Sequence, residues 1–186
     1  MAELLRRSAL QVLAQTAAPC AAAALTPCQP AANFILRCRP SALTIAGAVF
    51  GVAMPTACRS VTDEKRATLW LGPDEFLLVA PVEESGAIET AFAAGLSGHP
   101  HALVDVGHRN IAIDIAGPDA AAVLNAGCPL DLDDTAFPVG ACTRTILGKA
   151  QIILWRTGRH RFYVGTWRSF GEYVWQFLDE ARSPLT

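Results

Sequence analysis

The chain is poor in charge. Of its 186 residues, 17% are Asp, Glu, Lys or Arg, against about 25% in an average soluble domain. It lacks a basic excess as well: 15 Lys and Arg stand against 17 Asp and Glu, which argues against nucleic acid as a partner. No run approaches the ~18 consecutive apolar residues of a membrane span, so no membrane partner is expected. The six cysteines, at 20, 28, 38, 58, 128 and 142, include no C-x-x-C pair, which removes the zinc-ribbon and thioredoxin readings. A chain of this length needs no disulfide staples, so they read as buried, reduced thiols of a cytoplasmic protein. No G-x-G-x-x-G fingerprint and no G-x-S-x-G elbow is present. Gly148-Lys149-Ala150 is no P-loop, because Thr143 stands where its first Gly belongs and Ala150 where Ser or Thr would bind magnesium. Asp131-Leu132-Asp133-Asp134 lacks the glycine and distal Glu of a calcium loop. The four histidines show no metal-ligand spacing.

What the chain has is apolar residues, 52% of the total, with a mean hydropathy of +0.30. That excludes a disordered chain. A core is easily built, and apolar surface beyond it points to a partner site. The charge is also segregated. Residues 1–71 sum to +4, residues 72–140 to −10 and residues 141–186 to +4. Such a partition either orients docking or reflects separate solvated faces. Arg6-Arg7 before an Ala-rich stretch loosely mimics a twin-arginine export signal, but Gln11, Gln15 and Pro19 interrupt its apolar region.

Residues 17–32 are half alanine with three prolines. This breaks any helix and reads as part of an extended lead-in over 1–32. Asn33–Arg39 alternates like a strand. Ser41–Val52 is a short helix or a buried strand; periodicity does not decide. Residues 55–64 read as a loop. Strands at 66–71 and 76–80 flank Gly72-Pro73-Asp74-Glu75, a hairpin turn. A helix is expected over 83–96, strands over 102–106 and 110–115, and a short helix after Gly117-Pro118-Asp119. Three strands follow at 143–147, 151–156 and 161–166. The last helix, 169–181, has Ser169 and Glu172 placed as a capping box and Phe170, Tyr173, Val174, Phe177, Leu178 and Ala181 on one face. Arg182 suits its C-terminal dipole and Pro184 its end. The plan is α+β: one domain over 33–186, made of two intimately packed split βαβ-like halves, about 33–106 and 107–186.

Two groups are candidate sites. Asp105, His108 and Arg109 cluster after a strand, a common place for functional groups, with an ordinary hydrogen-bonded turn as the alternative. Trp70 with Asp74 and Glu75 makes either an aromatic–acid recognition edge or a sheet aromatic beside a polar turn.

Several segments together resemble one family. They are Leu69–Leu78 (LWLGPDEFLL), Val104–Arg109 (VDVGHR), Gly117-Pro118-Asp119-Ala120 with Val123-Leu124, Gly127–Leu132 (GCPLDL), Phe137–Gly140, Thr143–Ala150 (TRTILGKA) and Arg168-Ser169-Phe170. In this order they resemble the gamma subunit of heterotetrameric sarcosine oxidase over about residues 66–180, with Arg7-Ser8-Ala9-Leu10 fitting its start. That family resembles in turn the folate-binding domain of the glycine-cleavage aminomethyltransferase. The resemblance implies that fold and membership of a complex oxidising sarcosine to glycine, with peroxide and formaldehyde or methylene-tetrahydrofolate. It implies alpha, beta and delta subunits as partners, which carry the FAD, FMN, NAD, zinc and tetrahydrofolate; none is expected on this chain. Folate-dependent relatives carry an aspartate just before the strand that matches Ile152–Arg156, where this chain has Ala150 and Gln151. An accessory, non-catalytic role is therefore expected. Trp70, Asp74, Glu75, Asp105, His108, Arg109, Arg168 and Ser169 serve the fold or a subunit contact. A freestanding folate-binding protein is the alternative.

Overall fold

The computed structural model describes residues 10–183. In chain order its first elements are α1 (Gln11–Thr16), β1 (Ala24–Pro27), β2 (Ala32–Cys38), α2 (Leu43–Phe50), β3 (Ser60–Thr62), β4 (Ala67–Gly72), β5 (Glu75–Ala80), α3 (Ser85–Gly95) and β6 (His101–Asp105). Then come β7 (Asn110–Ala116), α4 (Ala120–Asn125), β8 (Cys142–Leu147), β9 (Ala150–Gly158), β10 (Arg161–Trp167) and α5 (Gly171–Arg182). Two five-stranded sheets result, ordered β3-β4-β5-β2-β6 and β1-β7-β10-β9-β8. Every neighbouring pair is antiparallel. β5 and β6 both run opposite to β2, which lies between them, so β5–α3–β6 is a split βαβ unit.

Strand alternation builds four layers. Phe34, Leu36, Phe76 and Leu78 point to one face of their sheet and meet Ala46 and Phe50 of α2 with Ile88 and Phe92 of α3. Ile113, Ile115, Leu154, Phe162 and Val164 do the same in the other sheet against α4 and α5, through Val123, Leu124, Val174, Trp175 and Leu178. The opposite faces meet each other: Ile35, Leu69 and Leu77 pack with Cys142, Ile153 and Trp155. The period of two thus gives each strand one residue set for its helices and one for the facing sheet. The sheets are stitched along one side, where Ser60 N donates to Gly140 O at 2.8 Å and Cys142 N to Cys58 O at 3.1 Å.

The hairpin at 72–75 forms, with a register shift between Trp70 and Gly72. Within 41–52 the chain is helical to Phe50, a 3-10 turn leading into α2, and Gly51 closes the helix at φ +84°. Five expectations need correction. The lead-in contains α1 and β1, and β1 pairs with β7. Its proline, Pro27, is tolerated because β1 is an edge strand. The loop at 55–64 holds β3, a three-residue edge strand too short to show a period. No capping box forms: Ser169 lies in a 3-10 turn, α5 starts at Gly171, and Glu172 accepts from Gln176 instead. Phe170, expected on the buried face, is 38% exposed, whereas Trp175 is 1% exposed in the core. Among the cysteines, Cys20, Cys38, Cys128 and Cys142 are buried, but Cys28 is half-buried and Cys58 is exposed. The readings of Arg6-Arg7, Arg7-Ser8-Ala9 and Pro184 lie outside the described residues.

Candidate functional site

The sheets part on the side of β2 and β7. A cavity of about 610 Å³ opens between them. Its lining comes from the ends of several strands: Asn33 on β2, Val79 on β5, Asp105 on β6, Asn110 and Ala112 on β7, and Tyr163 on β10. The turn after β6 adds Gly107 and His108, the turn after β10 adds Arg168, and the segment after β1 adds Cys28. Three sequence candidates therefore reach one cavity: Asp105, His108 and Arg168.

Their positions follow from local hydrogen bonds. Asp105 Oδ1 accepts from Gly107 N at 2.7 Å, a side-chain turn that aspartate favours. Its Oδ2 lies 3.5 Å from Ser85 Oγ. Arg168 N donates to Arg109 O at 2.7 Å and Arg168 Nε to His108 O at 3.1 Å, joining the two turns. Arg109 turns the other way, its guanidinium 5.2 Å from the Trp167 ring centre. Trp167 and Phe170, 45% and 38% exposed, stand 6.3 Å apart by ring centres, with Ser169 between them in sequence. This is an aromatic–arginine corner beside the cavity.

The other candidates lie elsewhere. Asp74 pairs with Arg37 at 3.2 Å, and Glu75 pairs with Arg144 across the two sheets. That hydrogen bond with Arg144, more than any other cause, holds the Glu75 carboxyl below the usual carboxylate range. Trp70 packs partly buried against the core on the α2–α3 side. The two acids are thus occupied by arginines, and no aromatic–acid edge is left free. Six of the seven ion pairs among the described residues join the acidic middle segment to a basic flank. The +4, −10, +4 partition is therefore partly neutralised inside the fold.

The floor of the cavity was not singled out by sequence reasoning. Asn33 is 7% exposed, and both Asn33 Oδ1 and Asn110 Oδ1 are buried with no hydrogen-bond partner. The available signal was weak: each asparagine stands in the first two residues of its strand, within the polar set of its alternation. Burial pushes the Cys28 thiol up to about 11, with Asp114 adding to it. Tyr163 is shifted up as well, chiefly by burial. Both stay protonated near neutral pH, so the floor is uncharged. No group of three or more His, Cys, Asp or Glu residues able to hold a metal occurs among the described residues, and no helix there is long and apolar enough to cross a membrane.

Comparison with known proteins places the chain. The model of the sarcosine oxidase, gamma subunit family matches residues 38–184. A sarcosine oxidase subunit gamma from Arthrobacter sp. is 35% identical over 136 residues, 72% of this chain and 66% of the relative. A second, from Corynebacterium sp. (strain P-1), is 37% identical over 64% of this chain, which spans 58% of that relative's length. Among solved structures, a chain of heterotetrameric sarcosine oxidase from Corynebacterium sp. U-96, in complex with pyrrole 2-carboxylate, superposes with a TM-score of 0.88. It is 32% identical and covers 97% of this chain and 96% of that one. Glycine cleavage system aminomethyltransferase T from Bartonella henselae has the same fold at a TM-score of 0.64 and 15% identity, over 85% of this chain and 45% of that one.

Proposed function

Because the chain belongs to the sarcosine oxidase gamma subunit family, we propose that it is the accessory gamma subunit of a cytoplasmic heterotetrameric sarcosine oxidase and has no active site of its own. Its partners are the alpha, beta and delta subunits, which carry FAD, FMN, NAD, zinc and tetrahydrofolate. The complex oxidises the N-methyl group of sarcosine to give glycine, peroxide and formaldehyde or methylene-tetrahydrofolate. The match over residues 38–184 carries this reading.

Two local features support a structural role. At the start of β9 the chain has Ala150, fully buried, and Gln151. This strand therefore brings no carboxylate where folate-dependent relatives place one. Asp105, the one carboxylate lining the cavity among the described residues, is taken up by Gly107 N and Ser85.

The corner of Arg109, Trp167, Ser169 and Phe170 is the subunit contact. Trp and Arg dominate the energy of protein interfaces, and here an arginine stacks on a half-exposed tryptophan. Asp74, Glu75 and Trp70 serve the fold. Co-expression with the larger subunits tests the reading. A tagged chain is expected to co-elute with flavin-bearing chains, and the double change Arg109→Ala, Trp167→Ala to release it. Elution as a lone monomer that binds tetrahydrofolate tightly sinks the proposal in favour of a freestanding folate-binding protein.

A further inference from the structure

Asn33 and Asn110 hold matching places in the two halves. Each sits at the first position of its strand, β2 or β7, that faces the opposite sheet, two residues before Ile35 and Ala112 respectively. Both line the same cavity, and in both the amide oxygen is buried without a donor. The orientation of Asn33 is set by its own contacts. Its Nδ2 donates to Ala31 O at 2.9 Å, so a flipped amide would set two oxygens against each other. A buried acceptor left unmet is costly, and two on one cavity wall point to a ligand that brings N–H donors.

The rest of the lining fixes the other parts of that ligand. Val79 and Ala112 give apolar walls. Asp105 at the rim supplies a negative charge to the donor end. Arg168, tied through Nε to His108 O, has no acidic partner among the described residues, and its remaining guanidinium nitrogens suit a carboxylate. At about 610 Å³ the cavity lies within the range of about 300–1,000 Å³ of small-molecule sites. That leaves room for a branched or aromatic side chain.

We propose that this cavity binds a small amphipathic zwitterion of the amino-acid class, its ammonium donating to Asn33 and Asn110 and its carboxylate pairing with Arg168. This goes beyond the subunit assignment and does not depend on it. Titration calorimetry on the full chain with three probes tests it: L-phenylalanine, phenethylamine without the carboxylate, and hydrocinnamate without the ammonium. L-Phenylalanine is expected to bind saturably, with each truncated probe weaker by about tenfold or more. Asn110→Leu weakens L-phenylalanine by a similar factor. Arg168→Met, an exposed change that does not threaten folding, weakens L-phenylalanine and hydrocinnamate but leaves phenethylamine unaltered. Equal binding of the three probes overturns the proposal, as does no L-phenylalanine binding up to about 10 mM. So does an Arg168→Met chain that discriminates among them as the parent does.

Discussion

The two halves of the molecule are built on one plan and closed in two ways. In the first, the order strand, helix, three strands, helix, strand puts β6 beside β2, so the sheet is completed by the chain's next strand. The second repeats the order from β7 to α5, and the matching place beside β7 is filled by β1, from the other end of the chain. Chain continuity supplies the last strand in one half; long-range contacts must hold it in the other. The difference in buried charge fits. Among the described residues the two buried arginines, Arg156 and Arg182, belong to the second half. Arg182 Nη1 donates to Ala23 O at 3.0 Å and Nη2 to Ala18 O at 3.1 Å, while Asp179 offsets its charge. An arginine fork thus clamps the borrowed segment, because one guanidinium meets two carbonyls and a carboxylate at once.

The most severe way to break this comparison is to remove the borrowed strand. Deleting residues 1–27 strips the ladder from β7 and leaves Arg182 without its two carbonyls. We expect a loss of at least about 5 kcal/mol, comparable to the whole stability of a domain, seen as an insoluble chain or as no cooperative transition in urea. A transition at the parent midpoint would show that the second half closes without β1.

Next in size is Arg156→Met. Arg156 is 3% exposed, donates to Leu132 O and Phe137 O, pairs with Asp134 and lies 4.9 Å from the Phe162 ring centre. Its loss leaves the Leu132 and Phe137 carbonyls without their donor, while Asp134, 53% exposed, keeps Arg159; the expected cost is about 2–4 kcal/mol. In the first half, Arg66 pairs with Glu84 at 2.8 Å and stacks on Phe50, but its side chain is 27% exposed. Arg66→Met should cost only about 1 kcal/mol. Equal shifts in urea midpoint would remove the contrast in how the halves use charge.

Gly117→Ala probes the contact between the lead-in and β7 at a single atom. Gly117 has φ +144°, and a Cβ there would stand 2.3 Å from Ala22 O. Backbone, not a flexible side chain, blocks it, and the conformation itself disfavours any other residue. A cost of about 2–4 kcal/mol is expected, read as a lower melting temperature.

Much of this was legible in the sequence, and the failures have physical causes. β2, the β4–β5 hairpin, α3 and β7 to β10 follow from alternation, helical periodicity and turn residues, all local signals. β1 was missed because its stability is not local: an alanine- and proline-rich stretch becomes a strand only when β7 lies beside it. Arg182 does stand in the last turn of α5, where the dipole favours it. What position along the helix does not reveal is its acceptors, Ala18 and Ala23, more than 150 residues away. Of the candidate site, Asp105, His108 and Arg168 were named from loop position and family motif, and they do meet at one cavity. Asn33 and Asn110 were passed over, because an asparagine in alternation reads as an outward polar residue; here the other face of the strand looks into the cavity rather than to water.

The smallest expected effect lies where the halves join. Glu75 opens β5 in the first sheet, Arg144 lies on β8 in the second, and they form a salt bridge. The Glu75 side chain is 17% exposed, but that of Arg144 is 45% exposed, so solvent screens the pair. Glu75→Gln should therefore cost only about 0.5–1 kcal/mol at neutral pH. The sign of its pH dependence follows from the depressed carboxyl. Arg144 lowers the folded-state pKa of Glu75 below its unfolded value, so the folded form holds the proton less tightly than the unfolded chain. The contribution is present in full above the unfolded value, about 4.3. It is lost as pH falls through the lower folded value. Denaturation of parent and variant at pH 7, 5 and 3 should show the gap between them closing only at the acid end. A gap that is constant across this range would mean that Glu75 joins the halves through its shape and not its charge.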